Sequence, residues 1–144
     1  MRFMKPRILV VDDNADVRLI LEVQLHRAGF DVLTAASGER GVELAKSHHP
    51  DLVLVELNTP GMSCLEFVSA MRNRSDAPRI YVMTDNDDDQ SKADVAHALG
   101  AEALISKREA LAREFSVNLL GPVSPGDERS QNETSKCEES ALAA

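Results

Sequence analysis

The stretch Asp51-Leu52-Val53-Leu54-Val55-Glu56, followed by Leu57-Asn58-Thr59-Pro60-Gly61, decides the architecture. An acid opens it, four apolar residues run without alternation, and a second carboxylate closes it before a Pro-Gly turn. An uninterrupted apolar run of this length is a strand covered on both faces, hence a central strand of a parallel sheet. In open α/β sheets, ligands bind outside the carboxyl ends of the strands. Glu56 is thereby aimed at the functional edge of the sheet.

Four more segments have the same character. Arg7 to Asp13 is an apolar run ending in two acids, and Asp31 to Ala35 is short and β-prone. Arg79 to Thr84 ends in a hydroxyl, and Ala101 to Ser106 is followed by Lys107. Between and after the strands, apolar residues recur at helical spacing. The stripes are Val17, Ile20, Leu21, Leu25 and Ala28; Val42, Leu44 and Ala45; and Leu65, Val68 and Met71. Ala93, Ala96 and Leu99 form a weaker fourth, and Leu111, Phe115 and Leu119 a last one. Asn14 or Asp13 caps the first helix, Ala28-Gly29 ends it, Ser37 opens the second and Pro50 stops it. Strand followed by helix, five times over, predicts an α/β doubly wound parallel sheet with helices on both faces. The domain is expected over residues 5–120. Residues 121–144 are rich in Ser, Glu, Asn, Pro and Lys, with five acids and two bases. They have no apolar period and are expected to form a disordered tail.

Composition excludes several functions. The chain has 144 residues and a net charge of −8, which argues against non-specific binding to nucleic acid or anionic membranes. Aromatics at 3% provide no stacking platform for single strands. No apolar run is long enough to cross a bilayer, and the run after Lys5-Pro6 is too short for a signal peptide, so a cytoplasmic address is expected. Cys64 and Cys137 are the only cysteines, too few for a disulfide framework, and Cys64 is expected to be a buried apolar residue. His48 and His49 are expected to meet the last carbonyls of their helix, and His97 to lie at the surface.

At the strand ends stand Asp12 and Asp13, Glu56, Thr84 and Lys107. A parallel sheet brings these ends to one edge, where the residues can meet. Clustered carboxylates repel one another and raise each other's pKa, so such a cluster calls for a cation. A hard divalent ion such as Mg²⁺ takes one or two carboxylates, waters and a phosphate oxygen. With an ammonium and a hydroxyl opposite, the set suits a phosphoryl group.

These residues, with Val10-Val11-Asp12-Asp13-Asn14, Asp51 to Met62, Val82-Met83-Thr84 and Ser106-Lys107, resemble the receiver domains of two-component response regulators over about residues 5–120. The resemblance implies a flavodoxin-like five-stranded sheet of order 2-1-3-4-5. It implies that Asp12, Asp13 and the backbone carbonyl of Asn58 bind Mg²⁺. Thr84 is then the switch hydroxyl and Lys107 the phosphate-sensing lysine. The partner is expected to be a histidine kinase or another signalling protein, docking through the helix around 93–99, the strand that follows it and the last helix. No output domain is expected after residue 120, and no enzyme activity.

The sequence departs from the family at its phospho-acceptor, an aspartate there and Glu56 here. The extra methylene moves the carboxylate forward by about 1 Å, a misplacement that can cost roughly a hundredfold in rate. Little or no phosphotransfer is expected. The same reach could place the charge of Glu56 near Lys107 and Thr84, partly mimicking a phosphoryl group, or it could simply silence the site. Arg108 follows the lysine where proline is usual, Leu104 stands where an aromatic is common, Asp85 follows Thr84, and Ser63-Cys64 replaces Asp-Gly. A receiver that still accepts phosphate is the alternative reading. A flavin or dinucleotide binder would need a phosphate-cradling loop after the first strand, where Asp12-Asp13 stands.

Overall fold

A computed structural model of the protein describes residues 5–59, 61–85, 94, 97–98, 100–112 and 115. Its strands are β1 (Arg7–Val11), β2 (Asp31–Ala35), β3 (Leu52–Glu56), β4 (Arg79–Thr84) and β5 (Ala103–Ser106). The helices are α1 (Ala15–Arg27), α2 (Gly38–His48), α3 (Cys64–Arg72) and α4 (Lys107–Leu111). All five strands are parallel in the order β2-β1-β3-β4-β5. This is the doubly wound sheet expected. β1 and β3 lie at its centre, and all five residues of β3 are buried, as its unbroken apolar run requires.

Successive residues of a strand point to opposite faces, so one strand feeds two cores. Leu9, Val11, Val53 and Val55 join Phe67, Val68 and Met71 of α3 and Ala45 of α2 on one side. Ile8, Val10, Leu52 and Leu54 join Val17, Leu21 and Leu25 of α1 and Ala110 of α4 on the other. Asp51 staples the opposite end of the two central strands. Its carboxylate accepts from the Arg7 amide at 2.8 Å, and its own amide donates to the Arg7 carbonyl at 2.8 Å.

The caps follow sequence chemistry. The Asn14 side chain accepts from the amides of Asp16 and Val17, and Ser37 accepts from that of Arg40. Ser63 and Glu66 form a full capping box at α3. Gly29, at φ 101°, adopts the left-handed backbone that ends α1.

Several expectations are corrected. In α1 the buried stripe is Val17, Leu21 and Leu25, while Ile20 and Ala28 are exposed. A residue one position off an i, i+4 stripe is rotated by about 100° and leaves the core. In α2 only Ala45 of the expected stripe is fully buried, together with Gly38 and Gly41, because the helix lies close against the sheet. In α3, Leu65 is half-buried and Phe67 takes the central place. His48 Nδ1 lies 3.3 Å from the Leu44 carbonyl as expected. His49 instead forms the left-handed C-cap, at φ 51°, with its ring 2.6 Å from Asp76. Burial pushes the Cys64 thiol up to about 12, as suits an inert core residue. His97 is exposed, and its ring meets the Ala101 carbonyl at 3.0 Å. Of the helix expected over 93–99, only Asp94, His97 and Ala98 are described, and all three are helical. Most of the Asp85–Asp89 run and the whole tail 121–144 lie outside the described residues.

Gly41 sets the distance between α2 and β1. A Cβ there would sit 2.9 Å from Cγ2 of Val11 and 3.0 Å from Cε1 of Phe67. Gly41→Val is expected to destabilise the fold by about 1–3 kcal/mol in urea unfolding, although it removes a glycine from a helix. An unchanged or stabilised variant would mean that the α2–sheet spacing is not set there.

Candidate functional site

The site is built by register. Val11 pairs with Val55, so the residues that follow in β1 and β3, Asp12 and Glu56, emerge side by side at the carboxyl edge. Thr84 ends β4 opposite Ser106, and Lys107 follows at once as the first residue of α4. Asp12 is 0% exposed and Glu56 2%, and Thr84 and Lys107 are also buried. Asp12, Glu56 and Lys107 thus meet in buried, low-dielectric surroundings, with Thr84 buried at the end of β4.

Lys107 organises it. Its Nζ lies 3.0 Å from Oδ2 of Asp12, forms a direct ion pair with Oε1 of Glu56, and lies 3.7 Å from Oδ1 of the exposed Asp85. The remaining carboxylate oxygens are held by the backbone. The amide of Asn14 donates to Asp12 Oδ1 at 2.8 Å, and that of Asn58 donates to Glu56 Oε2 at 3.1 Å. Arg18 donates to the Asp12 carbonyl at 2.8 Å, tying α1 to the same corner. Apart from the ammonium, Asp12 Oδ2 and Glu56 Oε1 have no hydrogen-bond partner among the described residues.

The electrostatics follow from burial. Desolvation raises the pKa of Glu56 above its ordinary value, and the Lys107 ammonium and the Asn58 amide offset only part of that. Burial pulls Lys107 down, but the Glu56 and Asp12 carboxylates outweigh it and hold the ammonium above its ordinary value of 10.5. The lysine is therefore a fixed positive charge.

The structure joins Asp12, Glu56 and Lys107 in ion pairs and places Thr84, buried, at the end of β4. Asp13 is exposed and Asn58 is exposed, and among the described residues no group of three or more His, Cys, Asp or Glu side chains is placed to hold a metal ion. The donors are hard oxygens of the kind Mg²⁺ prefers. In this arrangement, however, the ammonium rests on the two buried oxygens a cation would need, so the residues as placed do not form a metal site. Reading the sequence missed the backbone clamps on both carboxylates and the Arg18 anchor. The Asn residues two positions after Asp12 and Glu56 are the only local signal for the clamps.

Comparison with known proteins identifies the family. The sequence pattern of the response regulator receiver domain matches residues 8–115. The chain belongs to the response regulator receiver family and is a receiver of two-component signalling. It is 40% identical over 78 residues to a probable transcriptional regulator, ycf27, of Porphyridium aerugineum, covering 54% of this chain and 32% of that protein. It is 32% identical over 104 residues to the alkaline phosphatase synthesis transcriptional regulatory protein PhoP of Bacillus subtilis, covering 72% of this chain and 43% of that one. Its structure is similar to chemotaxis protein CheY4 of Vibrio cholerae, with a TM-score of 0.70 and 28% identity over 78% of this chain and 97% of that one. The chain spans about a third to two fifths of the length of these curated relatives.

Removing Lys107 leaves two buried carboxylates facing each other. Lys107→Met is expected to lower stability at pH 7 by about 3–5 kcal/mol in chemical denaturation. Because the folded-state pKa of Lys107 is raised, its stabilisation is complete below pH 10.5 and is lost as pH climbs above that value. Melting temperature should therefore fall at alkaline pH in the native protein, and this fall should be smaller in Lys107→Met. Parallel alkaline profiles would show that the clasp does not contribute.

Proposed function

We propose that this receiver works without phosphorylation at position 56, with the carboxylate of Glu56 standing in for the transferred phosphoryl group and biasing the domain toward its partner-binding state. The observation that carries this is the buried Glu56–Lys107 ion pair. The contact by which a receiver's lysine senses phosphate is already made by the acid of the chain itself. A phosphoryl donor would have to displace that ion pair. Any mimicry is partial, since a carboxylate carries one negative charge against nearly two for a phosphate. On this reading the protein is not an enzyme. It is a cytoplasmic docking module whose partner is a histidine kinase or another signalling protein. The contact face is formed by the helix around 93–99, β5 and α4. The Mg²⁺ that the resemblance assigns to Asp12, Asp13 and the Asn58 carbonyl has no part in this reading, because Lys107 takes the buried oxygens. The alternative is a receiver that accepts phosphate through Glu56 or a neighbouring side chain, and the family's relay chemistry favours it.

Incubation with a small phosphodonor and Mg²⁺, followed by intact mass measurement, separates the two. The native chain should gain no phosphate, and Glu56→Asp should gain one. A stoichiometric gain by the native protein would overturn the proposal. Glu56→Gln, which keeps the shape but removes the charge, should weaken docking to a cognate signalling protein about tenfold if the carboxylate biases the domain. Equal affinity would mean that Glu56 only silences the site.

A further inference from the structure

Asp12 is held at every polar atom it has. It lies one residue past the end of β1 and is fully buried. Its amide donates to the Ala35 carbonyl of β2 at 3.0 Å. Its Oδ1 accepts from the Asn14 amide at 2.8 Å, and its Oδ2 faces the Lys107 ammonium at 3.0 Å. The carbonyl is the one group that the turn itself leaves unheld. Among the described residues its donor is Nη1 of Arg18, at 2.8 Å. Arg18 is half-buried on α1, beside the buried Val17. Its guanidinium brings a second positive charge to a corner where one ammonium faces Asp12, Glu56 and Asp85.

We propose that Arg18 is a positioning residue for the ionic site. By holding the Asp12 carbonyl it sets the carboxylate on which Lys107 rests, and through Lys107 the contact with Glu56. The two acids are not equally constrained. Glu56 has one more torsion than Asp12, and a single amide, that of Asn58, holds its far oxygen. Glu56 therefore follows the ammonium, whereas Asp12 decides where the ammonium sits. A buried carbonyl that loses its donor turns toward another donor within reach, because leaving it unpaired is costly. The peptide plane between Asp12 and Asp13 turns with it, and the Asp12 carboxylate shifts away from the lysine. A charged donor makes the stronger hydrogen bond, so a guanidinium suits this task better than a neutral amide. The inference rests on the reading of Glu56 as a stand-in for the phosphoryl group, since it names the residue that keeps Lys107 within reach of that acid.

Exchange of the Lys107 ammonium protons with water, followed by nitrogen-resolved NMR of the full chain at fixed pH, tests this. Arg18→Met keeps the apolar stem and removes the donor and the charge. It should speed the exchange about tenfold, the effect of losing one charge-assisted hydrogen bond. Arg18→Lys keeps a charged donor, and one N–H is all the carbonyl uses, so its exchange should stay within about twofold of native. The carbonyl carbon resonance of Asp12 should move in Arg18→Met and return toward its native position in Arg18→Lys. Circular dichroism and urea unfolding establish that each variant is folded. Should Arg18→Met fail to fold, Arg18→Gln, whose amide is shorter and uncharged, carries the same expectation. A purely structural role would lower stability and leave the ammonium exchange of the folded protein unchanged, and that result overturns the proposal. Exchange as fast in Arg18→Lys as in Arg18→Met overturns it as well, as does faster exchange with an unmoved Asp12 carbonyl. Phosphate gain by the native chain would instead sink the reading of Glu56 and leave the Arg18 measurement standing.

Discussion

One buried ammonium holds this domain together at its working edge. The register of β1 and β3 forces Asp12 and Glu56 to emerge next to each other, and neither is open to water. Two carboxylates in a dry pocket cannot both stay ionised without a compensating charge. Lys107 supplies it from the first residue of α4, while the amides of Asn14 and Asn58 hold the outer oxygens. The β-strand order, the start of α4 and the turn after each acid are thus bound to one ionic arrangement. A buried pair of this kind gives little net stability over an apolar substitute, yet breaking it is costly. Its benefit is definition: β5 and α4 have one place to sit relative to β1.

Much of this was legible in the sequence. The Asp51 to Glu56 run announced a strand covered on both sides, and β3 is that strand. Strand–helix alternation announced the parallel sheet, and the polar residues at strand ends announced where chemistry would collect. The failures have physical causes. Apolar identity does not say which of Ile20 and Leu21 faces inward, and the i, i+4 series of Val17, Leu21 and Leu25 decides it. In α2 the apolar stripe hides the part played by small residues, since Gly38 and Gly41 are buried at close approach while Val42 and Leu44 are half-buried. The capping box of Ser63 and Glu66 was readable from its spacing. The left-handed turn at His49 was not, since its ring finds Asp76 far away in the chain.

Glu56 stands where the family has an aspartate, one methylene shorter. In the family the acid receives a group that the lysine then reads. Here Glu56 and Lys107 are joined in a buried ion pair. Asp85 adds a third carboxylate near the same ammonium, where the family favours a small residue. The lysine of this chain faces three acids, Asp12, Glu56 and Asp85. Leu104, half-buried against the core of α2 and α3, carries no ring to swing with Thr84.

The contact between Lys107 and Asp12 joins residues from nearly opposite ends of the folded domain. Parallel strands cannot pair through a tight turn, and each added strand waits for a crossover to close. The carboxylates of β1 and β3 can therefore become neighbours before their counter-charge has arrived. A chain that ends short of β5 carries Asp12 and Glu56 without Lys107, the charge that neutralises them in the fold. Emergence of the final strand closes that interval, so the last residues to dock decide when the first ones come to rest.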